Sequence, residues 1–321
     1  MIIATKALSF VVLKIYWRGI KSTIIMKRRS FVQSGSLAVT FSAFTPLLNM
    51  INPATYQMKL LRRNVGIFSE KGGTIGWLIQ PDGIVVIDTQ WKEQSQHLLE
   101  EIQKQQSGPV DLLINTHHHG DHTSGNIAYK GIAKHILAHE NSNINQRTSA
   151  EKNNNVADQL FPDLTYSDRW QQSIGDEIID IQYLGPAHTN GDSIIHFQNA
   201  NVVHCGDLVF NRRYPYIDKS AGASIENWIE ILQQMQSYYD NDALFIFGHA
   251  REGYDVTGNK NDLAAFADYL TALLEFVSQE ISSGKSREQI LTTTAIPGAP
   301  QWIGDGIERS LNAALEELVR E

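Results

Sequence analysis

Short apolar runs separated by turn residues fill the chain from Lys59 onward and predict a folded body that begins with β-strands. The runs Val65–Phe68, Thr74–Ile79 and Ile84–Ile87 predict the first three strands, and the pair Asp82-Gly83 indicates a hairpin between the last two. Further strands are predicted at Val110–Leu113, Ile136–Ala138, Ile178–Leu184, Ser193–Phe197, Val202–Val203 and Leu244–Phe247.

Helical spacing of apolar residues interrupts and then follows these strands. Glu93 to Gln106 predicts a helix that Gly108-Pro109 ends, and the Asn-rich stretch 141–163 predicts a short helix with a mobile loop. Three later stripes each place apolar residues on one helix face, as core packing requires. They are Ile225, Trp228, Ile229, Leu232 and Met235; Leu263, Phe266, Leu270, Leu274, Val277 and Ile281; and Ile307, Leu311, Leu315 and Leu318. We therefore expect an α+β fold: a β-sandwich flanked by helices, with residues 258–321 as a helical addition.

The first 55 residues follow another pattern, basic and then weakly apolar. The segment from Met26 through Arg28-Arg29 to Phe31 resembles a twin-arginine export signal, and no charge follows until Lys59. We expect a signal peptide over residues 26–55, a body over residues 56–321, and translation from Met26 that leaves residues 1–25 as a spurious extension. The export machinery is then a partner, and the destination is the periplasm.

The alternative for this segment is a membrane anchor left by an uncleaved leader. Its many Ser and Thr residues make it too polar for a typical spanning helix, so no stable membrane insertion is expected after processing.

Composition and charge narrow the class of protein. With 42% hydrophobic and 19% charged residues, the chain is expected to form a folded globule, and its single cysteine, Cys205, excludes a disulfide framework and an all-cysteine zinc site. Residues 1–55 hold seven basic and no acidic side chains, so the rest has 20 basic against 35 acidic residues and a net charge of −15. Such a body repels a phosphate backbone, which argues against a nuclease or any nucleic-acid partner.

The segment His117-His118-His119-Gly120-Asp121-His122 carries the chemistry. Residues two apart in extended chain point the same way, so His117 and His119 are placed to bind one metal ion, while His118 points elsewhere. A turn into a helix after the motif would aim Asp121 and His122 at a second ion. Neutral imidazole and carboxylate are suitable ligands for zinc.

This motif resembles that of the metallo-β-lactamase superfamily, and further residues match over roughly 59–255. The resemblance implies a four-layer αββα sandwich. It also implies that His188 completes the first metal site, that His249 belongs to the second, and that Asp207 bridges both ions. Asp88, at a strand end, would orient a ligand imidazole through a hydrogen bond.

The function implied is metal-dependent hydrolysis of a small molecule. Two Zn²⁺ ions, with iron or manganese as alternatives, would activate a bridging hydroxide that attacks a carbonyl, and Asp121 would help to orient it. β-Lactamases that use a thiolate have cysteine where this chain has Asp207. The pattern with aspartate at this position resembles that of hydroxyacylglutathione hydrolases and lactonases instead, so we expect an ester, thioester or lactone substrate.

Two other functions stay open: an exported β-lactamase, and a metal-binding protein of the same fold without catalysis. The remaining histidines have structural interpretations, His97 on a solvated helix and the others in or beside strands. Those others are His135, His139, His196 and His204. Cys205 is expected to be an inert buried thiol, with a minor metal role as the alternative.

Overall fold

A computed structural model describes the backbone of residues 6–7, 10–17 and 20–27, and residues 56–319 with their side chains. The chain divides into two units, residues 1–53 and 54–321. In the first unit, three strands form an antiparallel sheet: β1 (Lys6–Ala7), β2 (Phe10–Trp17) and β3 (Ile20–Lys27). Arg28-Arg29 and the apolar stretch after them lie outside the described residues, so the leader stays a prediction.

A seven-stranded sheet opens the second unit. Its strands are β4 (Gln57–Arg62), β5 (Val65–Ser69), β6 (Ile75–Gln80), β7 (Gly83–Ile87), β8 (Leu112–Asn115), β9 (Ile136–His139) and β10 (Leu164–Tyr166). They lie in the order β10-β9-β8-β7-β6-β5-β4, antiparallel from β4 to β7 and parallel from β7 to β10. Gln80 pairs with Gly83 across a two-residue turn, which confirms the hairpin predicted at this point.

A six-stranded sheet follows in the chain. Its strands are β11 (Arg169–Ile174), β12 (Glu177–Gln182), β13 (Ile194–Phe197), β14 (Val202–His204), β16 (Leu244–Ile246) and β18 (Thr257–Gly258), and they lie in that order. All neighbours are antiparallel except β14 and β16, which run parallel. The short strands β15 (Phe210–Asn211) and β17 (His249–Ala250) form a separate parallel pair.

Helices cover the outer faces of both sheets. The α-helices of this unit are α1 (Lys92–Gln105), α2 (Gly120–Thr123), α3 (Glu140–Lys152), α4 (Ile225–Tyr238), α5 (Lys260–Ser282), α6 (Arg287–Leu291) and α7 (Ile307–Leu318). The three stripes fall on α4, α5 and α7, as predicted. Among the described residues, no helix combines the length and the apolar character that crossing a membrane requires.

Side chains that point alternately to the two faces of each sheet produce the layers. Val85 and Ile87 of β7 face a core shared with β12 and β13, whereas Ile84 and Val86 face a second core beneath α1. On the far side, Val203 and Phe245 of the second sheet pack with Trp228 and Phe266 of the helices. Because successive side chains on a strand point to opposite faces, each sheet buries both of its faces. The result is the expected αββα order, with a helical region at the carboxy terminus.

Candidate metal centre

Three imidazoles converge where β8 ends, and they form the first cluster of the site. The Nδ1 atom of His119 lies 3.1 Å from Nε2 of His117 and 2.9 Å from Nε2 of His188. The rings meet nearly edge to face, and both His117 and His188 are fully buried. His117 and His119 therefore do point the same way along the extended segment, as their spacing predicts.

A second cluster lies beside the first and uses the helical turn that follows the motif. His119 ends the extended segment and α2 begins at Gly120, which brings Asp121 and His122 around to His249. An Oδ2 atom of Asp121 lies 3.1 Å from Nε2 of His249 and 3.8 Å from Nε2 of His122. These groups offer two imidazole nitrogens and one carboxylate.

Asp207 lies between the two clusters. Its Oδ1 atom is 3.0 Å from Nε2 of His122, and its Oδ2 atom is 3.4 Å from His249 and 3.5 Å from His188. Gly248 makes room for it, because a Cβ atom at that position would come within 1.9 Å of the carboxylate. The carboxylate thus faces both clusters.

The donor atoms fit metal ions. Nε2 of His122 and Oδ1 of Asp207 are buried without a hydrogen-bond partner, although they face one another. A buried polar atom without a partner costs roughly 1–3 kcal/mol, which coordination to an ion would relieve. The donors are imidazole nitrogens and carboxylate oxygens throughout, a set that suits zinc and also admits iron or manganese.

Asp88 anchors the second cluster from behind. Its carboxylate accepts hydrogen bonds from the Thr116 backbone amide at 2.8 Å, from the Thr116 hydroxyl at 2.7 Å and from Nδ1–H of His122 at 2.7 Å. The residue is fully buried and has a left-handed φ of 62°, a conformation that an aspartate adopts at a cost. Asp88 therefore orients the His122 imidazole through a hydrogen bond, the role that the family resemblance implies for it.

The first cluster has two further orienting groups that the sequence analysis missed. Nε2 of His119 donates to Asp218 at 2.9 Å, and Nδ1 of His188 donates to the backbone carbonyl of Tyr216 at 2.7 Å. Each leaves the other ring nitrogen facing the cluster, which is how such partners fix a ligand tautomer. His118 lies on the outer side of His119, with Nε2 at 3.5 Å from Asp218, and takes no part in the two main clusters.

Electrostatics separate the two clusters. Burial and the neighbouring His119 lower the pKa of His188 to about 3, and burial also holds the pKa of His117 well below its usual value. In the second cluster, burial opposes protonation but the Asp207 charge outweighs it and raises the pKa of His249 to about 9. The carboxylates around His122 likewise raise its pKa. Burial therefore dominates the pKa values in the first cluster, and the carboxylates dominate them in the second.

The centre opens into a cavity of about 1000 Å³. Asp121, His119 and His249 are its most exposed members, and they line this opening together with Asp207. The helical region also lines the cavity, at Ile303 and Arg309. That contribution was not predicted, since neither residue carries a local motif.

The other histidines and the cysteine lie apart from the two clusters. His97, on α1, contacts Glu70, and His135 contacts Asp163. His139 bonds to the Ser167 carbonyl and His204 to the Thr74 carbonyl, while His196 lies in β13 against Tyr239. Cys205 is 1% exposed, and burial raises the pKa of its thiol. Its Sγ lies 3.8 Å from the Val203 carbonyl.

The fold and the gathered ligands define a metal-dependent hydrolase of αββα architecture. The family model of the metallo-beta-lactamase superfamily matches residues 71–249, more than half of the chain, and the chain belongs to this superfamily.

Curated relatives include metallo-beta-lactamase IND-1 of Chryseobacterium indologenes, 24% identical over 206 residues that cover 62% of this chain and 82% of the relative. Another is the 2,4-dinitroanisole O-demethylase subunit alpha of a Nocardioides strain, 30% identical over 132 residues, or 40% of this chain and 38% of that subunit.

Solved structures agree on the fold. Metallo-beta-lactamase IND-7 aligns with a TM-score of 0.55 and 21% identity, over 68% of this chain and 99% of that one. The sec-alkyl sulfatase PisA1 aligns with a TM-score of 0.65 and 13% identity, over 82% of this chain and 50% of that one.

Proposed function

We propose that the chain is a dinuclear hydrolase that cleaves an ester, thioester or lactone. The observation that carries the proposal is the position of Asp207: its Oδ1 atom faces His122 of the second cluster, and its Oδ2 atom lies between His188 of the first cluster and His249 of the second. One ion would be held by His117, His119 and His188, and the other by Asp121, His122 and His249, with the Asp207 carboxylate between them. Two zinc ions would supply Lewis acidity for the carbonyl and would lower the pKa of water toward about 7.

The chain's own groups do the positioning. Asp88 and Asp218 each accept a hydrogen bond from the N–H of a ligand imidazole, so His122 and His119 keep a free nitrogen toward the ions. Of the two cluster carboxylates that line the cavity, Asp121 is more exposed than Asp207, and it is placed to accept a hydrogen bond from the attacking water. Rings held in fixed orientations need little rearrangement on substrate binding.

The choice of substrate class rests on the carboxylate at position 207. The site offers no sulfur ligand, because the Cys205 thiol points at the Val203 carbonyl in the core. A ligand set of nitrogen and oxygen donors alone resembles that of the thioester and lactone hydrolases of the superfamily.

A second candidate is β-lactam hydrolysis. It is favoured by the names of the relatives at 21–24% identity, several of which are metallo-beta-lactamases. The carboxylate at position 207 weighs against it.

A turnover screen separates the candidates. Zinc-loaded protein is assayed with a phenyl ester, an acyl thioester, a γ-lactone and the β-lactam nitrocefin. We expect kcat/KM for the best carbonyl ester or lactone to exceed that for nitrocefin by at least about 100-fold, a transition-state difference of about 2.7 kcal/mol. Comparable kcat/KM values for nitrocefin and the best ester or lactone would favour β-lactam hydrolysis instead. Turnover of none of the four substrates would overturn the hydrolase proposal.

We also propose that the protein is exported through the twin-arginine segment at Arg28-Arg29. The proposal rests on the sequence pattern and is tested as described in the Discussion.

A further inference from the structure

His118 is buried beside the metal centre but belongs to neither of its two clusters. The residue is 8% exposed, and its Nδ1 atom has no hydrogen-bond partner in the part of the chain that the structure describes. Its Nε2 atom lies 3.5 Å from Oδ2 of Asp218, which is longer than an ordinary hydrogen bond between nitrogen and oxygen. A buried polar atom without a good partner is costly, and a bound ion would relieve that cost.

Asp218 presents one oxygen atom to two imidazoles. Its Oδ1 atom accepts hydrogen bonds from the Ser220 hydroxyl at 2.5 Å and from the Ala221 amide at 3.1 Å, which hold the carboxylate in place. Its Oδ2 atom faces Nε2 of His119 at 2.9 Å and Nε2 of His118 at 3.5 Å. The side chain of Asp218 is only 7% exposed, so little bulk water competes for this oxygen.

The three side chains have the spacing of metal ligands. One nitrogen of His118, one nitrogen of His119 and one oxygen of Asp218 lie within 4.8 Å of one another. Around a tetrahedral zinc ion with bonds of about 2.0–2.1 Å, neighbouring ligand atoms are about 3.3–3.4 Å apart. The distance between His118 and Asp218 is close to that value. His119 uses its Nδ1 atom for the first cluster and donates its Nε2–H to Asp218, so it is a neighbour of this position rather than a ligand.

A small polar cavity adjoins both histidines. It has a volume of about 150 Å³, and its lining includes His118, His119 and the amide side chains of Gln146, Asn153 and Gln159. This volume holds several water molecules, and the amide groups offer them hydrogen-bond partners. An ion bound beside the histidines can therefore complete its coordination with water from the cavity.

We propose that His118 and Asp218 bind a third divalent ion, of the zinc type, on the outer side of His119, and that this ion inhibits hydrolysis. The ion takes the Oδ2 atom of Asp218 away from the Nε2–H of His119, the hydrogen bond that orients His119 for the first cluster. It also places positive charge one imidazole ring away from the first ion, so the two ions repel one another. The inhibitory role rests on the proposed hydrolase function, whereas the site itself does not.

The third ion should bind more weakly than the other two. It has two protein ligands, whereas the clusters offer their ions at least three each. Dialysis against zinc-free buffer should therefore remove the third ion and leave the other two in place.

The binding test uses zinc alone. Protein dialysed to two zinc ions per chain is equilibrated with rising free zinc, and bound metal is measured by elemental analysis. We expect wild type to take up a third ion, and His118→Gln to bind it at least about tenfold more weakly, since even groups behind a ligand commonly cost about 10–100-fold. Glutamine can still donate a hydrogen bond to Asp218. His135→Gln, which removes the exposed pair of His135 and Asp163, is the matched control and should keep the third ion.

The kinetic test measures turnover of the best ester at rising free zinc. Excess zinc should lower the kcat of wild type at least about tenfold, because His119 loses its orienting partner. The zinc concentration that gives half of this inhibition should rise at least about tenfold in His118→Gln and stay within about twofold in His135→Gln. Without excess zinc, both variants should have kcat within about twofold of wild type, because neither residue belongs to the two clusters.

Anomalous scattering locates the ion in wild type without any substitution. Crystals grown with excess zinc should show a third peak within about 2.3 Å of both Nε2 of His118 and Oδ2 of Asp218. Peaks only at the two clusters and at exposed side chains would overturn the site. So would a third ion that His118→Gln binds as tightly as wild type.

The two proposals fail separately. A third ion that depends on His118, in a protein that turns over no ester, supports the site and overturns the hydrolase proposal. Ester turnover by a protein that never binds more than two ions supports the hydrolase and overturns the third site. A third ion at His118 that leaves kcat unchanged overturns the inhibitory role.

Discussion

At the scale of single residues, Asp207 is the side chain on which the two-ion arrangement depends. Asp207→Asn keeps the size of the side chain but removes the negative charge between the clusters. We expect one of the two zinc ions to be lost on dialysis, and activity to fall at least about 100-fold, since even outer positions commonly cost 10–100-fold. Elemental analysis and kcat/KM on the best substrate measure both effects.

The control for that variant is Asp176→Asn, an exposed carboxylate paired with Arg63. It should retain both ions and full activity. Asp207→Cys tests the substrate class: it should lower ester turnover without creating an efficient β-lactamase. Full activity and unchanged metal content in Asp207→Asn would show that Asp207 does not bridge.

His204 provides a pH-dependent stability that can be measured. Its Nε2–H donates to the Thr74 carbonyl and its Nδ1 accepts from the Gly206 amide, so the buried ring is held neutral. Burial lowers its pKa from 6.5 to about 4, although Asp88 opposes this. Below pH 6.5 the unfolded chain therefore takes up a proton that the folded chain refuses. The stability contributed by His204 is complete above pH 6.5 and is lost toward pH 4, by on the order of 3 kcal/mol.

The measurement is denaturant unfolding with chelator present, at pH 7, 6 and 5, for wild type and His204→Gln. Other histidines titrate in both proteins, so the difference between the two pH slopes reports His204. The slope should be shallower in the variant. Parallel slopes would mean that His204 is protonated in the folded state or titrates alike in both states.

Residues also show where prediction from sequence reached its limit. The motif at 117–122 is local, so its geometry follows from backbone spacing alone. Asp218 lies 99 residues from His119, and only the fold brings the two together. An aspartate in a loop of an acidic protein has no pattern that distinguishes it.

At the scale of elements, Glu317 fastens α7 to the loop that orients the first cluster. Its buried carboxylate accepts hydrogen bonds from the backbone amides of Ile225 and Glu226 at the start of α4, and from the Lys219 ammonium. Lys219 follows Asp218 directly in the chain. A carboxylate at a helix amino terminus also interacts favourably with the helix dipole.

Glu317→Ala should lower the free energy of unfolding by about 2–4 kcal/mol, because it leaves buried amide donors and an ammonium without their acceptor. Glu316→Ala, whose carboxylate is half exposed and lies 3.7 Å from Arg287, is the control and should cost less than about 1 kcal/mol. Denaturant unfolding at 25 °C measures both. Equal values for the two variants would contradict the role given to Glu317.

Most elements followed from the apolar pattern, and the exceptions have physical reasons. The strand predicted at Val110–Leu113 is Leu112–Asn115, because Val110 makes only an isolated bridge to Ala133 before the ladder begins. β11 was missed because exposed and partly buried residues alternate along it. β15, β17 and β18 have two residues each, too few for any periodicity.

At the scale of the whole molecule, the candidate ligands come from both sheets. His117, His119, Asp121 and His122 follow β8 of the first sheet, while His188, Asp207 and His249 follow strands of the second. Metal binding would therefore stabilise the folded sandwich as a whole, because the unfolded chain offers no preformed site.

Elemental analysis of protein expressed with ample metal should give two ions per chain. Removing them with a chelator should lower the melting temperature, and zinc should restore it. Less than one ion per chain, or a melting temperature that does not respond to the chelator, would contradict the dinuclear proposal.

Export is the second prediction for the whole chain. A chain that begins at Met26 should reach the periplasm as well as the full sequence, because the basic pair follows that methionine. Replacing Arg28-Arg29 with two lysines should leave the protein in the cytoplasm, as cell fractionation would show. Unchanged export of the lysine variant would rule out the twin-arginine interpretation.

The sharing of ligands between the sheets makes the centre sensitive to distant packing. The sheets meet through apolar side chains such as Val85, Ile181 and Phe197, and interiors this dense transmit small displacements. A slight sliding of one sheet over the other would shift His188 and Asp207 relative to His117, even when the change that causes the sliding lies far from the site. A spectroscopically active ion bound in this centre would then report on the packing of the sandwich, because its spectrum would change when the two sheets shift relative to one another.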